Sequence, residues 1–288
     1  MKNMTVKGSG LAIAMLLALP VISMAQGMGQ SQGQGMGTGS GQMGTPPNQQ
    51  QPAQQATPAT AAPALDAKEE DAYKKLSSMQ TAKPEEVIRN GEAFTKAFPK
   101  SNHLETVYSI LASAYMQVGD ENNMFKYGHL TLVANPNNVD GLAVMSVATA
   151  RKIDPDNHPD AAKKEKDVED WSGRCISSLQ SLTKPEGVSD ADFARSRDGK
   201  LAMCYSGLGQ TVLFEGKVGE AVKDLTKATQ LEGSTPDPVD LYLLGMALMT
   251  NKQYPEAVTA FQQCMKDTDQ RMVPLCQEQL GNAKKMGK

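Results

Sequence analysis

Tryptophan occurs once in this chain of 288 residues, aromatic residues make up 5% of it, and cysteine occurs four times and histidine three. So few aromatic residues leave little for the half-buried strands of sandwiches and barrels, and no β-branched alternating run of any length is present. No C-x-x-C occurs, and only His103, His129 and His158 could serve as imidazole ligands. Zinc ribbons and thioredoxin-like centres are thereby excluded. Positive charge shows no excess either, with 29 Lys and Arg against 32 Asp and Glu and a formal net charge of −3. Proteins that bind nucleic acid usually carry a basic stripe, so nucleic acid is excluded as a partner. Long apolar runs are missing except for "LAIAMLLALPVI", residues 11–22. That run reaches only about half of the roughly 20 residues a spanning helix needs.

The same run follows Lys2 and Lys7 and leads into "SMAQ", which puts Ser23 and Ala25 at the two small positions of a cleavage site. This pattern predicts a secretory signal peptide over residues 1–25, cut after Ala25, with no transmembrane anchor after cleavage. Residues 26–64 form a low-complexity segment, Gly/Gln/Met-rich and then Pro/Gln/Ala-rich, with no charged or aromatic residue up to Pro63. Such a stretch cannot bury enough apolar surface to offset its ordering entropy, and a disordered linker is expected. Its Met28, Met36 and Met43 are the thioethers a copper(I) site would use.

From residue 65 to 288 apolar residues recur at three- and four-residue steps, and Ala, Met, Leu, Gln and Lys are frequent. An all-α domain follows from that period. Within it the pattern repeats. Leu241, Leu244, Gly245 and Leu248 are followed by Ala257 and Phe261, and an earlier stretch has Tyr205, Leu208, Gly209 and Val212, then Ala221 and Leu225. A more degenerate copy carries Tyr108, Leu111, Ala112 and Tyr115, with Met124 and Gly128 in its second half. The frames run over 202–235, 238–271 and, degenerate, 105–138, with a capping helix at 274–286. Gly216, Gly119 and Asn251 fall at the turns, and Pro255 just inside a second helix. Upstream, residues around Tyr73 and the stretch opened by Pro84 form another hairpin, and Asn102 with Glu105 reads as a capping box.

These residues resemble the tetratricopeptide repeat family, strongly in the last two units and weakly elsewhere, in the form of an exported bacterial member. The resemblance implies a right-handed α-solenoid of helical hairpins that binds a partner protein or peptide on a concave face made by the first helix of each hairpin. The groove positions it assigns are Ser109, Ser113, Met116 and Gln117, then Met203, Ser206, Gln210 and Phe214, then Tyr242, Met246, Met249 and Thr250. Almost none carries charge, which suits an apolar helix or extended peptide and lacks the cationic clamp for a carboxylate tail. The other reading has the same side chains facing helices of their own chain.

Cys175, Cys204, Cys264 and Cys276 allow three pairings. Neighbouring-helix packing selects Cys264 with Cys276, across a short connection to the cap, and Cys175 with Cys204 on successive helices; buried free thiols are the alternative. Asp154, Asp156, His158, Asp160 and Glu165 match the spacing of a calcium loop, but Pro159 stands where the sharp turn needs glycine. A polar inter-helix loop is the simpler reading. Between residues 65 and 288 no G-x-S-x-G occurs, and Gly207 and Gly209 sit in a helix rather than a phosphate loop. The expectation is a non-enzymatic scaffold without cofactor or metal, periplasmic or secreted in the cell envelope. A small-ligand, copper or calcium-binding protein, or a self-associating one, is the alternative.

Overall fold

A computed structural model describes residues 67–79, 82–154, 156–266 and 271–288, with every side chain in these ranges except that of His158. The expected signal peptide, the linker and its three methionines lie outside the described residues. Within them the chain forms eleven helices and no strand: α1 Ala67–Ser77, α2 Pro84–Ala97, α3 Leu104–Val118, α4 Glu121–Ala134, α5 Val139–Ala150, α6 His158–Gln180, α7 Asp190–Phe214, α8 Val218–Leu231, α9 Pro238–Thr250, α10 Tyr254–Cys264 and α11 Met272–Met286. Each packs on the next in sequence, and α5 also packs on α7. The result is five hairpins in a row with α11 as an end cap, the all-α repeat architecture expected.

Local chemistry fixes the boundaries. Asp120, Asn138, Ser189 and Asp237 cap α4, α5, α7 and α9, their side chains accepting from Asn123 N, Gly141 N, Asp192 N and Val239 N. Each satisfies a backbone donor that the first turn leaves unpaired. Pro84, Pro238 and Pro255 sit in the first turns of α2, α9 and α10, where a missing N–H costs nothing. The turn after α7 uses Gly216 at φ 78°, and the equivalent place after α9 is held by Lys252 at φ 62°. Asn251, the expected turn residue, keeps φ −82°, so the left-handed position lies one residue further on. The Asn102/Glu105 box is absent as well. α3 starts at His103 without a side-chain cap, and Glu105 Oε1 instead accepts from Asn135 Nδ2 at 2.7 Å and Asn138 Nδ2 at 2.8 Å. Glu105 thereby ties α3 to the α4–α5 connection.

The core runs along the stack in three blocks: α1 to α5 around Leu111 and Phe94, α5 to α7 around Leu142 and Leu179, and α7 to α11 around Leu225 and Phe261. Residues 141–150 of α5 are all buried, as a helix wrapped on every side requires. The repeat is visible as a contact. A Cβ on Gly209 would stand 2.8 Å from Leu225 Cγ, and one on Gly245 would stand 2.5 Å from Phe261 Cε1, the same sixteen-residue offset in each hairpin. In the degenerate unit that offset joins Ala112 to Gly128, and the space left by the missing large side chain is taken from the next hairpin, where Met145 Sδ lies 2.6 Å from a Cβ built on Gly128.

Among the described glycines Gly207 comes nearest to the backbone of another helix, since a Cβ there would stand 2.9 Å from the Ser146 carbonyl carbon and oxygen. Backbone cannot rotate aside as a side chain can, so Gly207→Ala must push α7 off α5. The overpacking cost of about 1–3 kcal/mol exceeds the roughly 1 kcal/mol that alanine gains in helix propensity. Gly173 on α6 meets nothing within 4 Å, and Gly173→Ala raises stability by about that propensity gain. Urea midpoints of the two variants move in opposite directions.

Candidate functional site

The twelve groove positions lie on α3, α7 and α9, the first helices of their hairpins, but they divide into two groups. Ser109, Ser206, Gln210 and Tyr242 are buried. Ser109 Oγ donates to the Thr106 carbonyl, and the Tyr242 ring meets Phe261 edge-on with centroids 6.1 Å apart. Ser206 Oγ donates to Asp240 Oδ1 at 2.7 Å, and Gln210 Nε2 to the Ala150 carbonyl at 3.0 Å. For these four the self-packing reading describes the geometry. Ser113, Met116, Gln117, Met203, Phe214, Met246 and Met249 are half-buried and Thr250 is exposed. Met203 packs against both the first and second core blocks, and Met246 and Met249 against the third. The open remainder is uncharged, with four methionines and one phenylalanine among its eight side chains.

The repeat-packing residues fall on α3 and on α7 to α10. Leu111, Tyr115, Gly209, Ala221, Leu225, Leu241, Leu244, Gly245, Ala257 and Phe261 are buried, while Tyr108, Tyr205 and Leu208 are half-buried. Tyr115 stacks on Tyr127 at 5.6 Å and its hydroxyl donates to Glu92 Oε1 at 2.9 Å. Burial, then that contact with Glu92, pushes the Tyr115 hydroxyl well above the usual phenol range.

Both disulfides are those selected by neighbouring-helix packing. Cys175–Cys204 joins α6 to α7 with Cα atoms 6.4 Å apart, and Cys264–Cys276 joins α10 to α11 at 6.2 Å. All four cysteines are fully buried. Elsewhere, Asp160 of the calcium-like loop is engaged by Lys164 Nζ at 2.5 Å, and Asp154 Oδ1 accepts from Asp156 N at 3.1 Å. Among the described residues no group of three or more His, Cys, Asp and Glu is arranged to hold a metal ion.

A polar junction that the sequence reading missed joins α5 to α9. Arg151 at the end of α5 pairs with Asp237 at the start of α9, Nη2 to Oδ2 at 2.6 Å, the two side chains 16% and 21% exposed. Asp237 N donates to Glu232 Oε2 at 2.9 Å, and Asp240 lies in the first turn of α9 with 1% of its surface exposed. Burial, then Asp240 and Asp237, raises the Glu232 carboxyl to about 9. Burial and Asp237 raise Asp240 to about 7, against the opposing pull of Arg151 and Ser206. Burial pulls the Arg151 guanidinium down, but Asp237 and Asp240 outweigh it and hold it above its ordinary value. The available signal was Asp240 itself, one acid inside the apolar run "PVDLYLLGMAL".

Residues 241–266, which span most of α9 and all of α10, match the tetratricopeptide repeat family model. That one hairpin is similar to a tetratricopeptide repeat. In this tetratricopeptide unit, Gly245 and Phe261 form the close contact that Gly209 and Leu225 repeat one hairpin earlier. No curated protein matches in sequence. Among solved structures, the chain is similar to the crystal structure of a thermophilic TPR protein in Thermus thermophilus, at 15% identity and a TM-score of 0.41, over 75% of this chain and 98% of that one. It is also similar to an assembly chaperone of RpL4 (residues 1–338), at 8% identity and a TM-score of 0.38, again over 75% and 98%.

Proposed function

We propose that this chain is an exported, non-enzymatic tetratricopeptide-repeat scaffold of the bacterial cell envelope that holds a partner protein or peptide along the first helices of its hairpins. The observation that carries the reading is the run of uncharged side chains left half-open on α3, α7 and α9: Met116, Met203, Phe214, Met246 and Met249. Methionine adapts its shape at little cost, and the helices beneath are fixed by three core blocks, a combination suited to an apolar helix or extended peptide. Export is supported by the signal-like residues 1–25 and by four cysteines in two bridges, which persist in oxidising compartments.

The test is cross-linked capture by the full chain in its native envelope, wild type beside Phe214→Asp/Met246→Glu. Both replaced positions are half-buried, unlike Tyr242, where a charge would be placed in the core. The expected result is a partner whose recovery falls by about tenfold or more, as loss of an interface anchor does, while circular dichroism shows helicity retained. Equal recovery by wild type and variant counts against the inner face. Recovery of further copies of this chain alone replaces the scaffold reading with self-association.

A further inference from the structure

We propose that Glu232 and Asp240, together with Arg151 and Asp237, form a proton-operated latch that holds the start of α9 against the end of α5 and so sets the curvature of the stack. The argument begins with geometry. α5 and α9 belong to hairpins separated by α7, yet the Arg151–Asp237 pair reaches from one to the other at 2.6 Å. α7 fills the gap with neutral groups, Ser206 on Asp240 at 2.7 Å and Gln210 on the Ala150 carbonyl at 3.0 Å. α10 faces the start of α9 with Cys264, its Sγ 3.4 Å from the Pro238 carbonyl oxygen. Lys152, next to Arg151, is held by Glu121 at 2.5 Å, and Glu278 of α11 acts on Tyr242. The charges acting on the Glu232–Asp240 pair are Arg151 and Asp237.

One guanidinium therefore faces three carboxyls. It balances Asp237 directly, Glu232 Oε2 accepts from Asp237 N, and Asp240 Oδ1 accepts from Ser206 Oγ. One guanidinium cannot balance three carboxylates away from water, so the Glu232–Asp240 pair keeps a proton. Asp240 Oδ2, Arg151 Nε and Gln210 Oε1 are buried without a protein partner once that proton is left out of account. The proton is thus the missing donor at Asp240.

The folded chain binds a proton here that the unfolded chain gives up near the ordinary carboxylate value of about 4. The stability this contributes is whole below that value and is lost as the pH rises through the raised values of the pair, so the latch closes on the acid side and opens on the alkaline side. When the proton leaves, the negative charges on half-buried Glu232 and buried Asp240 drive the α8–α9 connection from α9, and the tie between α5 and α9 slackens. The inner surface between α5 and α9 then opens. None of these steps depends on which partner the scaffold binds.

Hydrogen exchange of the full chain at pH 6 and pH 9, corrected for intrinsic rates and read over residues 232–244, tests the latch. Wild type is expected to lose protection about tenfold or more at pH 9, as a shift of one pH unit or more in the pair requires. Glu232→Gln/Asp240→Asn, whose amides donate at every pH, is expected to keep equal protection at both. Equal protection in wild type, or the same alkaline loss in the variant, overturns the proposal. If circular dichroism shows the variant unfolded, the carboxyl carbon resonances of wild type decide: a pair titrating above pH 6 supports the latch, and carboxyls that all titrate below pH 5 end it.

Discussion

Phe261→Ala lowers the unfolding free energy by about 3–5 kcal/mol, and Phe261→Leu by about 1 kcal/mol. The ring is fully buried, touches the Gly245 backbone on one side and meets the Tyr242 ring edge-on on the other. Alanine removes the whole ring from between the Gly245 backbone and the Tyr242 ring, and a helix backbone does not collapse into a void as a side chain does. Leucine has a precedent one hairpin earlier, where Leu225 stands opposite Gly209. Urea unfolding measures both, and a loss of similar size for the two would mean that the Gly–Phe contact is not the anchor of the unit. A further variant, Gly245→Ala, brings a Cβ to 2.5–2.8 Å from the ring and costs about 1–3 kcal/mol alone. Combined with Phe261→Leu it costs less than the two separately, because the smaller side chain makes room for the methyl.

The hairpins were legible because the signals that specify them are local. Apolar spacing, Pro at helix starts and small residues at fixed offsets can be read within about 35 residues, the length of one repeat. The cysteine pairs were legible for a related reason, since consecutive helices are neighbours in a stack and the bridges at Cys175–Cys204 and Cys264–Cys276 join consecutive helices. The junction was not, because its members come from α5, the α8–α9 connection and α9, and no spacing connects Arg151 to Asp240. The Asn102/Glu105 box failed through the same kind of competition: Glu105 has a better use across the hairpin, where two asparagine side chains donate to it. At the groove, periodicity placed all twelve residues on first helices. It could not tell that Gly207 lets α7 approach α5 so closely that Ser206 and Gln210 are enclosed.

Cys175→Ala/Cys204→Ala lowers stability by about 3–4 kcal/mol, the chain-entropy value for a loop of that length, and the melt shifts as a whole. Cys264→Ala/Cys276→Ala opens a shorter loop and loses about 3 kcal/mol, but in a different manner. The first bridge lies in the middle of the stack, where α6 and α7 both border the block around Leu142 and Leu179, so loosening it weakens every hairpin on either side. The second bridge holds an end. α11 packs mainly on α10 and α9, and its buried residues besides Cys276 are Met272 and Ala283. A terminal cap of a repeat array can detach without the rest, since each unit contacts only its neighbours. Hydrogen exchange should therefore show α11 opening first in the Cys264/Cys276 variant while α3 and α7 keep their protection. Binding of a partner at Met116, Met203 or Phe214 should survive that variant with its affinity unchanged. Loss of binding with unchanged stability would make the Cys264–Cys276 bridge part of the interaction surface rather than a staple for its cap.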